Sequence, residues 1–255
     1  MKRYNAINAV VDAIKKDNLA TTIFLKGSIA RGEDDDYSDV DLYAVVEEER
    51  FEAFLAKRIE YLESYLPLIN WVEVNFVGPQ IVGIFADALH FDFYVVKPDA
   101  IPQTGAIKII VDEAGLLNDY QNEPLTLSEE QLSKIVSEFI YMFIEIEATY
   151  SRGDLLRCVT LFHMNNGHLG LLTRYVYDPT SAILGNKNMF NKIPATLREA
   201  HLEMLELATP SNIITATKML MNLFEDIVQK LPTKVQNEMN KPYYQLLKQR
   251  IYDLD

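Results

Sequence analysis

The feature that most constrains the fold of this sequence is a change of hydrophobic pattern near Asn118. Before it, short runs of β-branched and aromatic residues alternate with turn residues, which is typical of strands. After it, apolar residues recur at helical spacing, starting behind Ser128 and Gln131, which have the sequence of a capping box. We therefore predict an α/β plus all-α fold: an N-terminal mixed-sheet domain over residues 1–122 and a C-terminal helical bundle over residues 123–255.

The N-terminal pattern can be divided into individual elements. Helical periodicity predicts two helices, and extended runs predict six strands. The predicted helices span residues 3–16 and 48–65, and the predicted strands span 21–25, 39–46, 70–77, 80–85, 90–96 and 106–111. The second domain is predicted to hold about five helices, separated by Gly and Pro residues.

The segment 27–41, GSIARGEDDDYSDVD, combines a Gly-Ser turn with two closely spaced aspartates. Gly27 and Ser28 follow the first predicted strand, where a glycine lets the backbone approach an anion and a serine adds a hydroxyl and an N–H group. Asp39 and Asp41 are two positions apart on the next predicted strand, so both carboxylates should point to the same side of the sheet.

Two neighbouring carboxylates repel each other unless a cation lies between them or one is protonated. Oxygen ligands of this kind suit Mg²⁺, which binds one or two protein carboxylates and completes its coordination with water and substrate phosphates. Two simpler interpretations remain open. Gly-Ser is common in loops, and the acidic residues 33–36 have the composition of a solvated loop.

The combination of Gly-Ser, a gap of this length and Asp-x-Asp resembles the nucleotidyltransferase superfamily related to DNA polymerase β. The resemblance implies that Gly27 and Ser28 hold a nucleoside triphosphate. It further implies that Asp39 and Asp41 bind two Mg²⁺ ions and that a third carboxylate comes from a later strand.

Asp92 is the candidate for the third carboxylate. It lies in the run LHFDFYVV, where alternation places it on the opposite face from Phe91 and Phe93. Under the resemblance, Asp92 either binds the catalytic metal or accepts the proton of the attacking hydroxyl; an ordinary surface aspartate is the alternative. Arg31 is the favoured cation for the triphosphate charge, because strand parity is expected to turn Lys26 away.

Three stretches extend the resemblance to the antibiotic nucleotidyltransferases, the lincosamide and aminoglycoside adenylyltransferases: GEDDDYSDVDLY, IKIIVDEAGLLNDY and SRGDLLRC. This branch implies transfer of AMP from ATP to a hydroxyl of a small-molecule acceptor, with release of pyrophosphate. The helical domain would bind the acceptor. A nucleotidyltransferase that modifies a protein, and a binding module that has lost its chemistry, are the alternatives.

Composition narrows the classes of partner. A net charge of −13 opposes nonspecific nucleic-acid binding and fits a cationic small acceptor, which favours an aminoglycoside, whereas the three stretches favour a lincosamide. The N-terminal residues lack a long apolar run, so a cytoplasmic protein without a membrane partner is expected. One cysteine, Cys158, excludes an internal disulfide, and exposed helical faces predict a homodimer.

Two acidic residues of the helical region, Glu145 and Glu147, are candidates for a functional role. One of them could face an acceptor amine or act as a base. Because residues two apart on a helix diverge in direction, at most one can face a site, and a solvated pair is the alternative.

Overall fold

A computed structural model describes residues 2–254. The chain divides into two compact units, Met1–Glu123 and Pro124–Asp255. The first is a mixed sheet with helices and the second is helical, which confirms the predicted fold class. In residues 2–254, no helix is long and apolar enough to cross a membrane.

The first unit is built on a six-stranded sheet of order β3-β4-β5-β2-β1-β6. Strands β2 and β5 pair in parallel, and the other neighbours pair antiparallel. Its elements are α1 (Lys2–Asp17), β1 (Thr22–Leu25), α2 (Gly27–Arg31), β2 (Val40–Val45), α3 (Glu48–Glu63), β3 (Leu68–Asn75), β4 (Pro79–Phe85), β5 (His90–Val96) and β6 (Lys108–Asp112).

The two faces of the sheet have different environments because side chains alternate along each strand. On β5, Phe91, Phe93 and Val95 are fully buried in the core formed with α1 and α3. Asp92 and Tyr94 lie on the opposite face and are half-buried. The predicted division of β5 into an apolar face and a polar face is thus confirmed.

A layer of stacked rings supports the polar face. Tyr43 follows Asp41 by two positions on β2, and its ring lies 4.2 Å from that of Tyr94 and 5.0 Å from that of Phe24, measured between ring centroids. These side chains belong to a small hydrophobic cluster of their own. Because aromatic packing fixes both strands, it also holds the neighbouring carboxylates in position.

Five of the six predicted strands differ in their bounds from the structure, and three of them change at both ends. The second strand is Val40–Val45, so Asp39 lies just before it. The strand predicted over 70–77 is Leu68–Asn75, because pairing of Asn75 with Pro79 leaves the intervening apolar residues in the hairpin turn. The strand predicted over 106–111 is β6, Lys108–Asp112, whose register follows β1.

The second unit contains six α-helices within the residues that the structure describes, where about five were predicted. They are α4 (Glu129–Ser151), α5 (Leu155–Tyr177), α6 (Ala195–Glu206), α7 (Ile213–Val228), α8 (Thr233–Glu238) and α9 (Lys241–Tyr252). Ser128 and Gln131 form the predicted capping box at the start of α4. Cys158 is buried in the core of this unit.

Candidate active site

Gly27 and Asp41 are in direct contact. Gly27 has a φ of +66°, and a Cβ atom at this position would lie 2.0 Å from Oδ2 of Asp41. The backbone N–H of Lys26 also donates to the carbonyl oxygen of Asp41 at 3.0 Å. Only glycine fits here without displacing the carboxylate, so the fold joins the Gly-Ser turn to the Asp-x-Asp strand.

Ser28 presents a hydroxyl that has no partner. Its Oγ is buried and forms no hydrogen bond within the described residues. A buried hydroxyl without a partner is unusual, because burial of an unpaired polar group is costly. A phosphate oxygen beside Gly27 would supply the missing acceptor.

Asp92 lies beside Asp41 across the parallel β2–β5 pair, where the two residues are register partners. Its side chain is only 13% exposed. Burial raises the pKa of the Asp92 carboxyl above its ordinary value and the charge of Asp39 adds to this, while contacts with His90 and Gln80 oppose the shift. The charge of Asp39 thus reaches Asp92, and the charges of all three predicted carboxylates raise the pKa of the neighbouring Tyr94, after burial.

Gln80 is a residue of this site that the sequence analysis missed. It is 2% exposed on β4, and its Nε2 donates to Oδ1 of Asp92 at 3.1 Å. Its Oε1 is buried without a partner. The available signal was a polar side chain inside an apolar strand, but only the β4–β5 register reveals which carboxylate it reaches.

Lys26 and Arg31, the two candidate cations, both have partners within their own chain. Nζ of Lys26 donates to the carbonyl oxygens of Pro102 and Thr104 at 3.2 and 2.5 Å and to the hydroxyl of Tyr120 at 3.0 Å. Burial lowers the pKa of Lys26 to about 8, and the charge of Asp41 opposes this shift. Nε of Arg31 lies 2.8 Å from Oε2 of Glu33, at the protein surface.

The acidic loop before β2 is not simply solvated. Asp34 accepts hydrogen bonds from Nε of Arg3 at 2.8 Å and from the hydroxyl of Tyr4 at 2.9 Å, so the loop is fastened to α1. The Asp36 side chain is 93% exposed. The Asp34 carboxylate is therefore structural, whereas the Asp36 carboxylate is exposed and has only a long contact of 3.9 Å with Nη1 of Arg3.

The carboxylates offer a donor set for Mg²⁺, although residues 2–254 contain no group of three or more His, Cys, Asp or Glu placed closely enough to hold a metal ion by themselves. Mg²⁺ requires only one or two protein carboxylates when substrate phosphates and water complete its shell. Asp41 and Asp92 are adjacent on paired strands, and Asp39 is two positions from Asp41. These oxygen donors, with the unpaired Ser28 hydroxyl nearby in the chain, fit a metal bound together with a triphosphate.

The two glutamates of α4 have different surroundings. Glu147 pairs with Arg250 through two short contacts of 2.6 and 2.5 Å, and its side chain is 14% exposed. Glu145 accepts a hydrogen bond from the hydroxyl of Tyr141 at 3.2 Å. Glu147 therefore joins α4 to α9, while Glu145 contacts a residue of its own helix.

Comparison with known proteins assigns the class of this fold and site. The family model described as the nucleotidyltransferase domain matches residues 7–114, a range that takes in the Gly-Ser turn and all three carboxylates. Most of the first unit therefore matches a nucleotidyltransferase domain. The resemblance inferred from the Gly-Ser and Asp-x-Asp motifs is confirmed at this level.

Two solved structures are similar over most of their length. An aminoglycoside 6-adenyltransferase from Bacillus subtilis is 11% identical, with 98% of each chain covered and a TM-score of 0.42. A nucleotidyltransferase-like protein from Exiguobacterium sibiricum 255-15 is 14% identical, with 97% of this chain and 88% of that chain covered and a TM-score of 0.40. No curated protein sequence matches the chain. The assignment of class rests on the domain model.

Proposed function

We propose that this nucleotidyltransferase transfers AMP from ATP to a hydroxyl of a small-molecule acceptor and releases pyrophosphate, with two Mg²⁺ ions as cofactors. The observation that carries the proposal is the contact between Gly27 and the Asp41 carboxylate. It joins a backbone turn suited to phosphate with a carboxylate suited to a metal, as a reaction at a nucleotide phosphate requires.

Each residue has a distinct role in this proposal. Gly27 and Ser28 hold the phosphates, and Arg31 exchanges its partner Glu33 for the triphosphate. Asp39 and Asp41 are the metal ligands. Bound Mg²⁺ would reduce the negative charge on the reacting phosphate and make the acceptor hydroxyl more acidic.

Asp92 has two possible tasks, as a third metal ligand and as the proton acceptor. Its raised pKa, caused first by burial, suits a base. The acceptor oxygen forms a bond to the α-phosphorus, and the bond from that phosphorus to the bridging oxygen of pyrophosphate breaks. The hydroxyl proton passes to Asp92, which Gln80 holds in place through its hydrogen bond.

The acceptor is a lincosamide or an aminoglycoside in this proposal, which makes the protein an antibiotic-resistance enzyme of the cytoplasm, where ATP is available. The three sequence stretches support the lincosamide, and the net charge of −13 supports a cationic aminoglycoside. We assign acceptor binding to the helical unit, residues 124–255, and a homodimer is the expected assembly.

The alternatives differ in what they predict. A protein-modifying nucleotidyltransferase would transfer AMP to a tyrosine, serine or threonine of a partner and ignore small acceptors. A module without chemistry would bind the nucleotide and release no pyrophosphate. The presence of Asp39, Asp41 and Asp92 opposes the second alternative, because binding alone does not require three carboxylates.

Pyrophosphate release from MgATP tests the proposal, with lincosamides, aminoglycosides and simple hydroxyl compounds as acceptors. The variant Asp41→Asn should abolish acceptor-dependent release. Asp12→Asn is the matched control, because Asp12 is an exposed carboxylate on α1 of the same unit. Release without any acceptor dependence, or equal rates in both variants, would contradict the proposed chemistry.

A further inference from the structure

A polar cavity of about 390 Å³ lies within the helical unit. Four asparagines and one histidine line it, contributed by α5, by the segment between α5 and α6, and by α6: Asn166, Asn186, Asn188, Asn191 and His201. Its volume falls in the range of about 300 to 1,000 Å³ that is typical of small-molecule sites. None of these residues belongs to the site of the first unit.

Two atoms of this lining are buried without a hydrogen-bond partner within the described part of the chain. His201 is 1% exposed, and its Nε2 is unpaired. Oδ1 of Asn166 is also buried and unpaired. Because native proteins leave few buried polar atoms without partners, two of them on one cavity wall point to an occupant that supplies the partners.

The walls of the cavity are held in place by buried contacts. Arg174 is 2% exposed; its Nη1 donates to the carbonyl oxygen of Lys187 at 2.9 Å, and its Nη2 lies 3.0 Å from Oδ2 of Asp178. Asn186 packs against α5 so closely that a Cβ atom at Gly170 would lie 1.8 Å from its Oδ1. The segment between α5 and α6 is thus fixed to the bundle, and the cavity is formed before any ligand enters.

The lining selects for an uncharged ligand. Among the described residues that line the cavity there is no Asp, Glu, Lys or Arg, so a charged group would lose its hydration without gaining a counter-charge. Burial lowers the pKa of His201 to about 4, so its imidazole is neutral near pH 7. A charged ligand therefore finds no electrostatic partner on these walls.

The same lining suits a ring that carries hydroxyl groups. Each asparagine amide offers two donors and one acceptor, which matches hydroxyls that both donate and accept. Phe190 and Leu205 add an apolar wall, with the Phe190 ring 6.3 Å from that of His201. A lining that combines apolar side chains with several amides is the complement of a ring with C–H faces and polar edges.

We propose that this cavity binds an uncharged, polyhydroxylated ring, such as a neutral saccharide, which donates a hydroxyl to Oδ1 of Asn166 and forms a second hydrogen bond with Nε2 of His201. The site goes beyond the proposed function, because it resides in the helical unit and needs no nucleotide. The ring has two possible sources: part of the acceptor, or a separate effector.

Isothermal titration calorimetry of the full chain, without nucleotide, tests the site. The probes are neutral methyl glycosides of glucose, galactose and ribose, with glucosamine as a cationic comparison and glucuronate as an anionic one. At least one neutral glycoside should bind saturably at millimolar concentration, and the charged compounds should bind at least about tenfold more weakly, a difference of about 1.4 kcal/mol.

Three asparagine variants locate the binding. Asn166→Ala removes the unpaired acceptor, and Asn191→Ala alters the exposed rim without affecting the core. Each should weaken binding of the neutral glycoside about tenfold. Asn222→Ala is the matched control, because this exposed asparagine of α7 pairs with Tyr252 and does not line the cavity. It should leave binding unchanged.

The proposal is overturned if no neutral glycoside binds, if glucosamine or glucuronate binds as tightly, or if both cavity variants bind like Asn222→Ala. Addition of MgATP to the bound complex then distinguishes the two sources. An adenylylated glycoside identifies the ring as part of the acceptor, and a changed rate with another acceptor identifies an effector. Because binding is measured without nucleotide, failure of the transferase chemistry leaves this test intact.

Discussion

His201 should make the helical unit less stable as the pH falls. Burial lowers the pKa of this histidine from 6.5 to about 4 in the folded chain. In the unfolded chain the imidazole is exposed and takes up a proton below pH 6.5, so the unfolded state binds more protons between these two values. The stability associated with neutral His201 is complete above this window and is lost as the pH falls through it.

The size of the effect follows from the separation of the two pKa values. One pKa unit corresponds to about 1.4 kcal/mol, so the separation between 6.5 and about 4 costs about 3 kcal/mol once the pH is below about 4. Between about pH 8 and about pH 5 the linkage relation gives a loss of about 2 kcal/mol. This is a large fraction of the stability of an ordinary domain.

Urea unfolding at both pH values, followed by helical circular dichroism, measures this loss. The single tryptophan, Trp71, lies on β3 and reports on the first unit, whereas the helical signal includes the second. His201→Asn removes the titration, so the wild type should lose about 2 kcal/mol more than this variant. His163→Asn, at an exposed histidine of α5, is the matched control and should behave like the wild type.

A difference near zero between the wild type and His201→Asn would refute the reasoning. A smaller loss of stability in the wild type than in His201→Asn at the lower pH would also refute it. Titration of the other carboxylates and histidines affects both proteins equally, so it cancels in the comparison.

Three further predictions concern the two units. Gly27→Ala should cost about 1 kcal/mol or more of stability, because alanine tolerates a positive φ poorly, and should reduce pyrophosphate release at least about a hundredfold by displacing the neighbouring carboxylate. Gln80→Leu should lower kcat about tenfold with an unchanged KM for MgATP, because Asp92 loses the donor that orients it; an effect on KM alone would contradict this role. Glu147→Gln should leave kcat unchanged and lower the thermal midpoint by a few degrees at most, because its partner Arg250 is at the surface; a large loss of activity would give Glu147 a catalytic role.

Much of the fold could be predicted because its signals are local. The strand 90–96 has the predicted bounds, since strict alternation of apolar and polar residues defines both its extent and its faces. The capping box at Ser128 likewise marks the start of α4. Such patterns depend only on neighbouring residues.

The contacts that define the candidate site could not be predicted from local sequence patterns. The approach of Gly27 to Asp41 and the hydrogen bond from Gln80 to Asp92 depend on strand register, which periodicity does not specify. The polar cavity depends on the segment between α5 and α6, whose two short 3-10 turns have no repeating pattern. Burial of His201 in the lining of this cavity results from tertiary packing, which the sequence of α6 alone does not reveal.

The parallel pairing of β2 with β5 has a consequence for how the domain folds. Asp41 and Asp92 are neighbours across this pair, although α3 and the β3–β4 hairpin separate their strands along the chain. Pairing of strands that are distant in sequence is slow, because chain entropy is lost before the contacts between them form. We therefore expect the candidate site to form late in folding, and a nucleotide bound there should slow unfolding of the first unit.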